Sequence, residues 1–312
     1  MRLNNANLAD FRVIGEDAHA PEQADLQALS LLLEKYAPHD DIFDLKSNGL
    51  QVVKSSTVAK EQTYMLSQPG ICIVPQGAKS VSYAQNGFEY GESTMVVYAA
   101  HVSISVKVTK ATKENPYLCL VIPLDNKRLN ELTLKVFTNG IPKTNNAQAV
   151  YFGETNPKIV KSALRLMELI EQQEDCDLLV PLVIDEILIR LLRSPAGAAI
   201  AQVSITDSNV ERISKAIFWL KDNYIKNIKI EKLANLASMS VSSFHTHFKE
   251  FTQMSPLQFQ KTIRLQEARN LILTRKLDIS SAAFEVGYAS PSQFSREYTR
   301  YFGVSPSKEY KH

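Results

Sequence analysis

The spacing of apolar residues changes period along this chain, and each change predicts a change of architecture. Behind Pro21, Leu26, Leu29, Leu33 and Tyr36 recur every three to four residues, which predicts one amphipathic helix over 21–36. From about 41 to 137 the period falls to two, most clearly in Ser103-Ile104-Ser105-Val106-Lys107-Val108-Thr109. Asn86-Gly87, between Val81-Ser82-Tyr83 and Phe88-Glu89-Tyr90, predicts a hairpin turning on those two residues, since both tolerate positive φ. Many short strands broken by turns predict a small antiparallel barrel or jelly roll. Thr138 to Asn156, with Asn139-Gly140, Pro142 and Asn145-Asn146, reads as the exit from that sheet.

Helical spacing then returns. Ile159, Leu164, Leu166, Met167 and Ile170 predict one helix, and Leu178 to Leu192 a second whose apolar surface is almost continuous. So broad a surface is expected to pack on the barrel or on a second copy of the chain. Ser194-Pro195-Ala196-Gly197 closes that helix, and a small-residue linker is expected to about Ile205.

The last third has its own grammar. Ser208-Asn209-Val210-Glu211 reads as a capping box opening a helix through Ile213, Ile217 and Leu220. A helix over 230–237, a turn at Ser238-Met239-Ser240 and a helix over 241–251 follow. In the last of these Val241, Phe244, Phe248 and Phe251 form the inward stripe, leaving Ser242, His245, Thr246 and Lys249 for the outward side, with Ser243 a further candidate for DNA contact. After a long helix over 256–273 the arrangement recurs: a helix over 278–285, a turn at Val286-Gly287-Tyr288 and a helix over 291–302. Phe294, Tyr298 and Tyr301 face its core, and Ser292, Ser295, Arg296, Thr299 and Arg300 face out. Small polar and basic residues on an outward helix face suit a major groove, and two such helices suit two successive grooves roughly 34 Å apart.

Composition sharpens this reading in two places. With 312 residues, 45% apolar and 22% charged, the chain is globular and long enough for two cores. No apolar run approaches the ~18 residues of a membrane span, and the opening Met-Arg-Leu-Asn-Asn-Ala-Asn is too polar for a secretory segment. Cys72, Cys119 and Cys176 lie far apart with no Cys-x-x-Cys, so neither a disulfide framework nor a structural zinc site is expected, and a cytoplasmic location is. The net charge of +2 conceals an asymmetry: residues 206–312 hold 16 Lys and Arg against 10 Asp and Glu, whereas the remainder is acidic. A basic excess of that kind suits phosphate contact.

These residues resemble the AraC/XylS family of transcription regulators. Val286-Gly287-Tyr288, the Ser290-x-Ser-x-Phe-Ser-Arg296 run and Phe302-Gly303-Val304-Ser305-Pro306 carry the resemblance in the second unit. Leu236 to Lys249, Met254-Ser-Pro-Leu-Gln258 and Arg264-Leu-Gln-Glu-Ala-Arg269 carry it in the first. Residues 41–137, with Ile71-Cys-Ile-Val-Pro-Gln-Gly-Ala-Lys79, are similar to the cupin-type amino-terminal domain of one branch. The resemblance implies an α+β chain: a helical segment (1–40), a small antiparallel cupin-like β domain (41–140), a helical linker or dimerisation region (141–205) and an all-α domain of two helix-turn-helix units (206–312). It places Ser242, His245 and Thr246, and Ser292, Ser295 and Arg296, where the family touches bases. Many relatives carry arginine in place of Thr246, and Met239 is read as replacing a frequent turn glycine.

Double-stranded DNA is the expected partner. RNA polymerase, a small-molecule effector in the β domain and a second copy of the chain are expectations the sequence leaves open, and so is an amino-terminal domain that only dimerises. The rival class is a metal-dependent cupin enzyme, which needs clustered His and carboxylate ligands. Only His101 falls in the strand region, and Cys119 sits in the apolar run Tyr117 to Ile122, so no catalytic residue, cofactor or metal is expected.

Overall fold

The structure, a computed structural model, describes residues 20–310 except 46–47, 60–61, 84–85, 144–147, 174, 205–208 and 253. It divides into two compact units, one of residues up to 211 and one of 212–312, the tripeptide 64–66 being counted with the second.

The first unit opens with α1 (Gln23–Tyr36), which buries Leu26, Leu29 and Leu33 as the spacing predicts. Nine strands follow: β1 (Asp41–Asp44), β2 (Gln51–Ser55), β3 (Thr63–Leu66), β4 (Gly70–Gln76), β5 (Ala78–Tyr83), β6 (Asn86–Gly91), β7 (Thr94–Tyr98), β8 (Ser103–Lys110) and β9 (Tyr117–Pro123). Next come α2 (Asn126–Val136), a tenth strand β10 (Val150–Glu154), and the helices α3 (Pro157–Gln172), α4 (Cys176–Leu192) and α5 (Gly197–Ser204). The strands form two sheets, ordered β1-β2-β9-β4-β7-β10 and β3-β8-β5-β6. One face of the larger sheet, with Val52, Ile71, Ile73, Met95, Val97, Leu118, Leu120 and Ile122, shares a single apolar core with α1 to α5. Its other face looks toward the second sheet, where Phe88 of β6 stacks on Phe152 of β10 at 4.2 Å.

Three expectations are corrected. The hairpin forms, but its register pairs Tyr83 with Asn86 and Val81 with Phe88, so Asn86 and Gly87 belong to β6 and the connecting residues 84–85 lie outside the described ones. The far end sets this register. Ala78 pairs with Gly91, and any side chain at 91 would lie 2.6 Å from the Gly77 carbonyl oxygen. The region expected to hold only strands and an exit loop contains α2, which Asp125 starts by accepting the N–H groups of Lys127 and Arg128, and a late strand, β10, which pairs along β7. The small-residue linker is helical as α5, and a Cβ on Gly197 would collide with the Leu192 carbonyl, so the corner after α4 needs glycine.

Candidate nucleic-acid interface

The second unit is all helix: α6 (Asn209–Asp222), α7 (Ile230–Leu236), α8 (Val241–Thr252), α9 (Pro256–Thr274), α10 (Ile279–Glu285), α11 (Pro291–Phe302) and α12 (Pro306–Tyr310). The capping box read at Ser208 falls outside the described residues. A capping box does open α9: the Ser255 hydroxyl accepts the Gln258 N–H while the Gln258 side chain accepts the Ser255 N–H.

Two helix-turn-helix heads flank α9, each with a small aromatic core. In the first, Phe244 and Phe248 of α8 are fully buried and pack with Phe259 of α9, ring centroids 5.3 and 5.6 Å apart. Val241, expected in this stripe, is exposed. In the second, Phe294 and Tyr298 of α11 pack with Tyr288 and with Leu265, Ala268 and Ile272 of α9, and Tyr301 is half-buried. The two turns repeat bond for bond. In the first, the N–H groups of Ala237, Ser238 and Met239 donate to the carbonyls of Leu233, Asn235 and Ala234; in the second, those of Val286, Gly287 and Tyr288 donate to Ala282, Phe284 and Ala283. This equivalence corrects the reading of Met239. The left-handed residue matching Gly287 (φ 87°) is Ser238 (φ 51°), and Met239 matches Tyr288.

The outward face of α8 exposes Ser242, His245, Thr246 and Lys249; Ser243 is half-buried, its N–H donating to the Ser240 hydroxyl. On α11, Ser292, Arg296, Thr299 and Arg300 are exposed and Ser295 is half-buried. The two threonines behave alike: Thr246 donates its hydroxyl to the Ser242 carbonyl (3.2 Å) and Thr299 to that of Ser295 (2.8 Å), leaving each oxygen able to accept.

The cations of this unit divide by task. Arg264 donates to the carbonyls of Tyr224 (2.7 Å), Ile225 (2.8 Å), Lys226 (3.2 Å) and Gly287 (2.9 Å), so it joins the loop after α6 to the second turn, and burial lowers its pKa. Gln260 reinforces it on Tyr224 and Lys226. Arg269 pairs with the buried Glu309, which also accepts the Tyr298 hydroxyl and so ties α12 to α9 and α11. Lys261 pairs at 2.9 Å with Glu297, which also accepts from Tyr288 and Gln293. Burial opposes the charge on Glu297, but these donors together hold its carboxyl below the usual range. Burial, then Glu297, pushes the Tyr288 hydroxyl up. Lys249 and Arg296, by contrast, make no ion pair among the described residues and stay available. Sequence reasoning did not assign Arg264, Glu297 and Glu309 these roles, because their partners are carbonyls and side chains far along the chain.

In the first unit His101 is buried, with Nδ1 3.0 Å from the Ser67 carbonyl oxygen, and no group of three or more His, Cys, Asp or Glu able to hold a metal occurs among the described residues. No described helix is long and apolar enough to cross a membrane.

An antiparallel β unit followed by paired helix-turn-helix heads defines a DNA-binding transcription regulator. Residues 46–199 match the model of the AraC-type transcriptional regulator N-terminus and 233–311 that of a helix-turn-helix domain. The virulence regulon transcriptional activator VirF of Yersinia enterocolitica is 27% identical over 247 residues, 78% of this chain and 89% of VirF. The HTH-type transcriptional activator RhaS of Escherichia coli O1:K1 / APEC is 24% identical over 166 residues, 53% of this chain and 59% of RhaS. The crystal structure of ToxT from Vibrio cholerae O395 bound to (E)-4-(8-methylnaphthalen-1-yl)but-3-enoic acid superposes with a TM-score of 0.54 at 13% identity, covering 85% of this chain and 99% of ToxT, a likeness of fold. The chain belongs to the AraC/XylS family of transcription regulators.

Proposed function

We propose that the protein is a sequence-specific regulator that sets α8 and α11 into successive major grooves of one duplex. Ser242, Ser243, His245 and Thr246 read bases from the first head and Ser292, Ser295 and Arg296 from the second, while Lys249, Thr299 and Arg300 anchor on phosphates. The observation that carries this reading is the bond-for-bond repetition of the two turns, each followed by a helix with a polar outward face. With threonine at 246 the first head offers a methyl and an acceptor oxygen, which suit thymine methyl and cytosine or adenine amino groups better than a guanine edge. Arg296 is the residue that can grip guanine with two bonds.

Selection from a random duplex pool with the full-length protein tests this, with two half-elements about one helical turn apart as the expected product. Against the selected site, Arg296→Ala relaxes preference at one base pair, by about 1 to 3 kcal/mol of discrimination. Lys249→Ala weakens binding to all sequences alike and reduces the salt slope by about one. Equal losses on specific and random DNA by both variants would refute these roles.

The amino-terminal unit is assigned to sensing, dimerisation or both. For sensing, the support is a cleft of about 440 Å³ bordered by Gln23, Gln27, Gln76, Lys110 and Asn115, the size of a small-molecule site. The ToxT structures carry a butenoic acid derivative and an unsaturated fatty acid, and Lys110, paired with Glu92 at 2.8 Å, offers a carboxylate a cation. Carboxylic acids that bind there should change the affinity for the selected site. For a homodimer, the support is α4, which leaves Leu178 70% and Leu182 61% exposed one helical turn apart. VirF and RhaS are named activators, so contact with RNA polymerase in the cytoplasm is the corresponding reading for transcription here.

A further inference from the structure

The layer between the two sheets of the first unit holds polar side chains that neither DNA reading nor the cleft employs. Cys72 lies on β4 opposite Val121 of β9, and Ile73 lies opposite Leu120. Cys119, two residues from Val121, therefore shares the face of Cys72 one diagonal step away. Both are free and buried. Tyr117 shares this face on β9, and Tyr98 does so on β7, where Gly70 pairs with Tyr98 and Cys72 with Val96. Tyr90 reaches the same group from β6, close enough to interact electrostatically with Tyr98, Tyr117 and both cysteines. The hydroxyls of Tyr90, Tyr98 and Tyr117 are all buried and none makes a hydrogen bond of good geometry, and Lys79 lies 5.8 Å from the centre of the Tyr117 ring. Buried hydroxyls in that state require an explanation.

Geometry decides what two such thiols can do. Diagonal neighbours on adjacent strands stand about 7 to 8 Å apart at Cα and somewhat less at Cβ, whereas a disulfide needs Cβ atoms about 3.5 to 4.5 Å apart. A bridging atom spans the difference, since two metal–sulfur bonds of about 2.3 Å each fill the gap that a direct bond leaves. Zinc in a closed site needs four ligands, and no third His, Cys, Asp or Glu joins the pair among the described residues. Two thiolates alone satisfy a soft d¹⁰ monovalent ion.

We propose that Cys72 and Cys119 form a two-coordinate site for a soft monovalent cation of the Cu(I) class, buried between the sheets. Binding exchanges one Cu⁺ for the two thiol protons, with no change of oxidation state, and leaves an S–Cu–S unit of charge −1. The Lys79 ammonium offsets that charge, and the three tyrosine hydroxyls gain acceptors in the thiolates.

Full-length reduced protein titrated anaerobically with Cu(I) against a chromophoric Cu(I) chelator tests the site. Wild type and Cys176→Ser are expected to withdraw one equivalent, and Cys72→Ser and Cys119→Ser none. A wild type that withdraws no more than Cys72→Ser, or a Cys176→Ser that loses the equivalent, overturns the proposal. X-ray absorption on the loaded wild type decides the matter however the variants fold: two sulfur neighbours support the site, and a third ligand or any nitrogen or oxygen neighbour overturns it.

Discussion

Ser238 carries a left-handed backbone, φ 51°, at the position where the second head has Gly287 at φ 87°. A side chain there costs about 1 kcal/mol relative to glycine. Ser238→Gly is therefore expected to raise the stability of the second unit by roughly 0.5 to 1 kcal/mol in urea denaturation. The converse change is severe, because a Cβ on Gly287 would stand 2.5 Å from the Ile225 carbonyl oxygen that Arg264 already grips. Gly287→Ala should cost ~2 kcal/mol or more. Glu297 adds a dependence on acid. Its folded pKa lies below the ordinary carboxylate value, so its contribution is fully present above roughly pH 5 and is lost as pH falls through the folded value. Glu297→Gln should flatten that acid limb in thermal melts taken from pH 7 to pH 3. The outward residues of α8 and α11 could be read from sequence because helical spacing alone sorts them, and the aromatic stripe at Phe244, Phe248, Phe294 and Tyr298 fixes which side is in. Arg264 could not, since nothing local tells a cation that meets four carbonyls from one that meets water.

Helices with a clear stripe, α1, α3, α8 and α11, match the expected spans closely. The elements that escaped prediction owe their form to distant partners. β10 is a strand because β7, some fifty residues earlier, offers it an open edge. α2 is held on α4 by Arg128, which grips Asp185 as well as its own neighbour Glu131. Asn86-Gly87 misled because the turn signal is local whereas register is set where Gly91 meets Ala78. On α4 the almost continuous apolar surface resolves into a buried side, with Val180, Val183, Ile187 and Leu191, and an outward side bearing Leu178 and Leu182. Leu182→Glu adds a charge on the outward side without entering the core. If this face joins two copies, the variant should run as a monomer in analytical ultracentrifugation while its melting temperature at low concentration is unchanged. Identical masses for both proteins would remove α4 as the interface.

Over the whole molecule, the basic excess lies in the last third of the sequence, the part proposed to meet DNA. The 16 Lys and Arg of residues 206–312 are not all available to phosphates, since Lys261, Arg264 and Arg269 are spent on holding the heads together. The salt dependence of DNA binding should accordingly be shallower than a count of charges suggests. The two heads are built on one helix, α9, whose 19 residues rise about 28 Å. If both heads read one duplex as proposed, that helix is a ruler whose length the DNA must match. Inserting five base pairs between the two halves of the selected site turns the second half to the far side of the duplex, and inserting ten restores its side but not its reach. Both insertions should leave only the affinity of a single head, whereas heads on a slack tether would recover at ten.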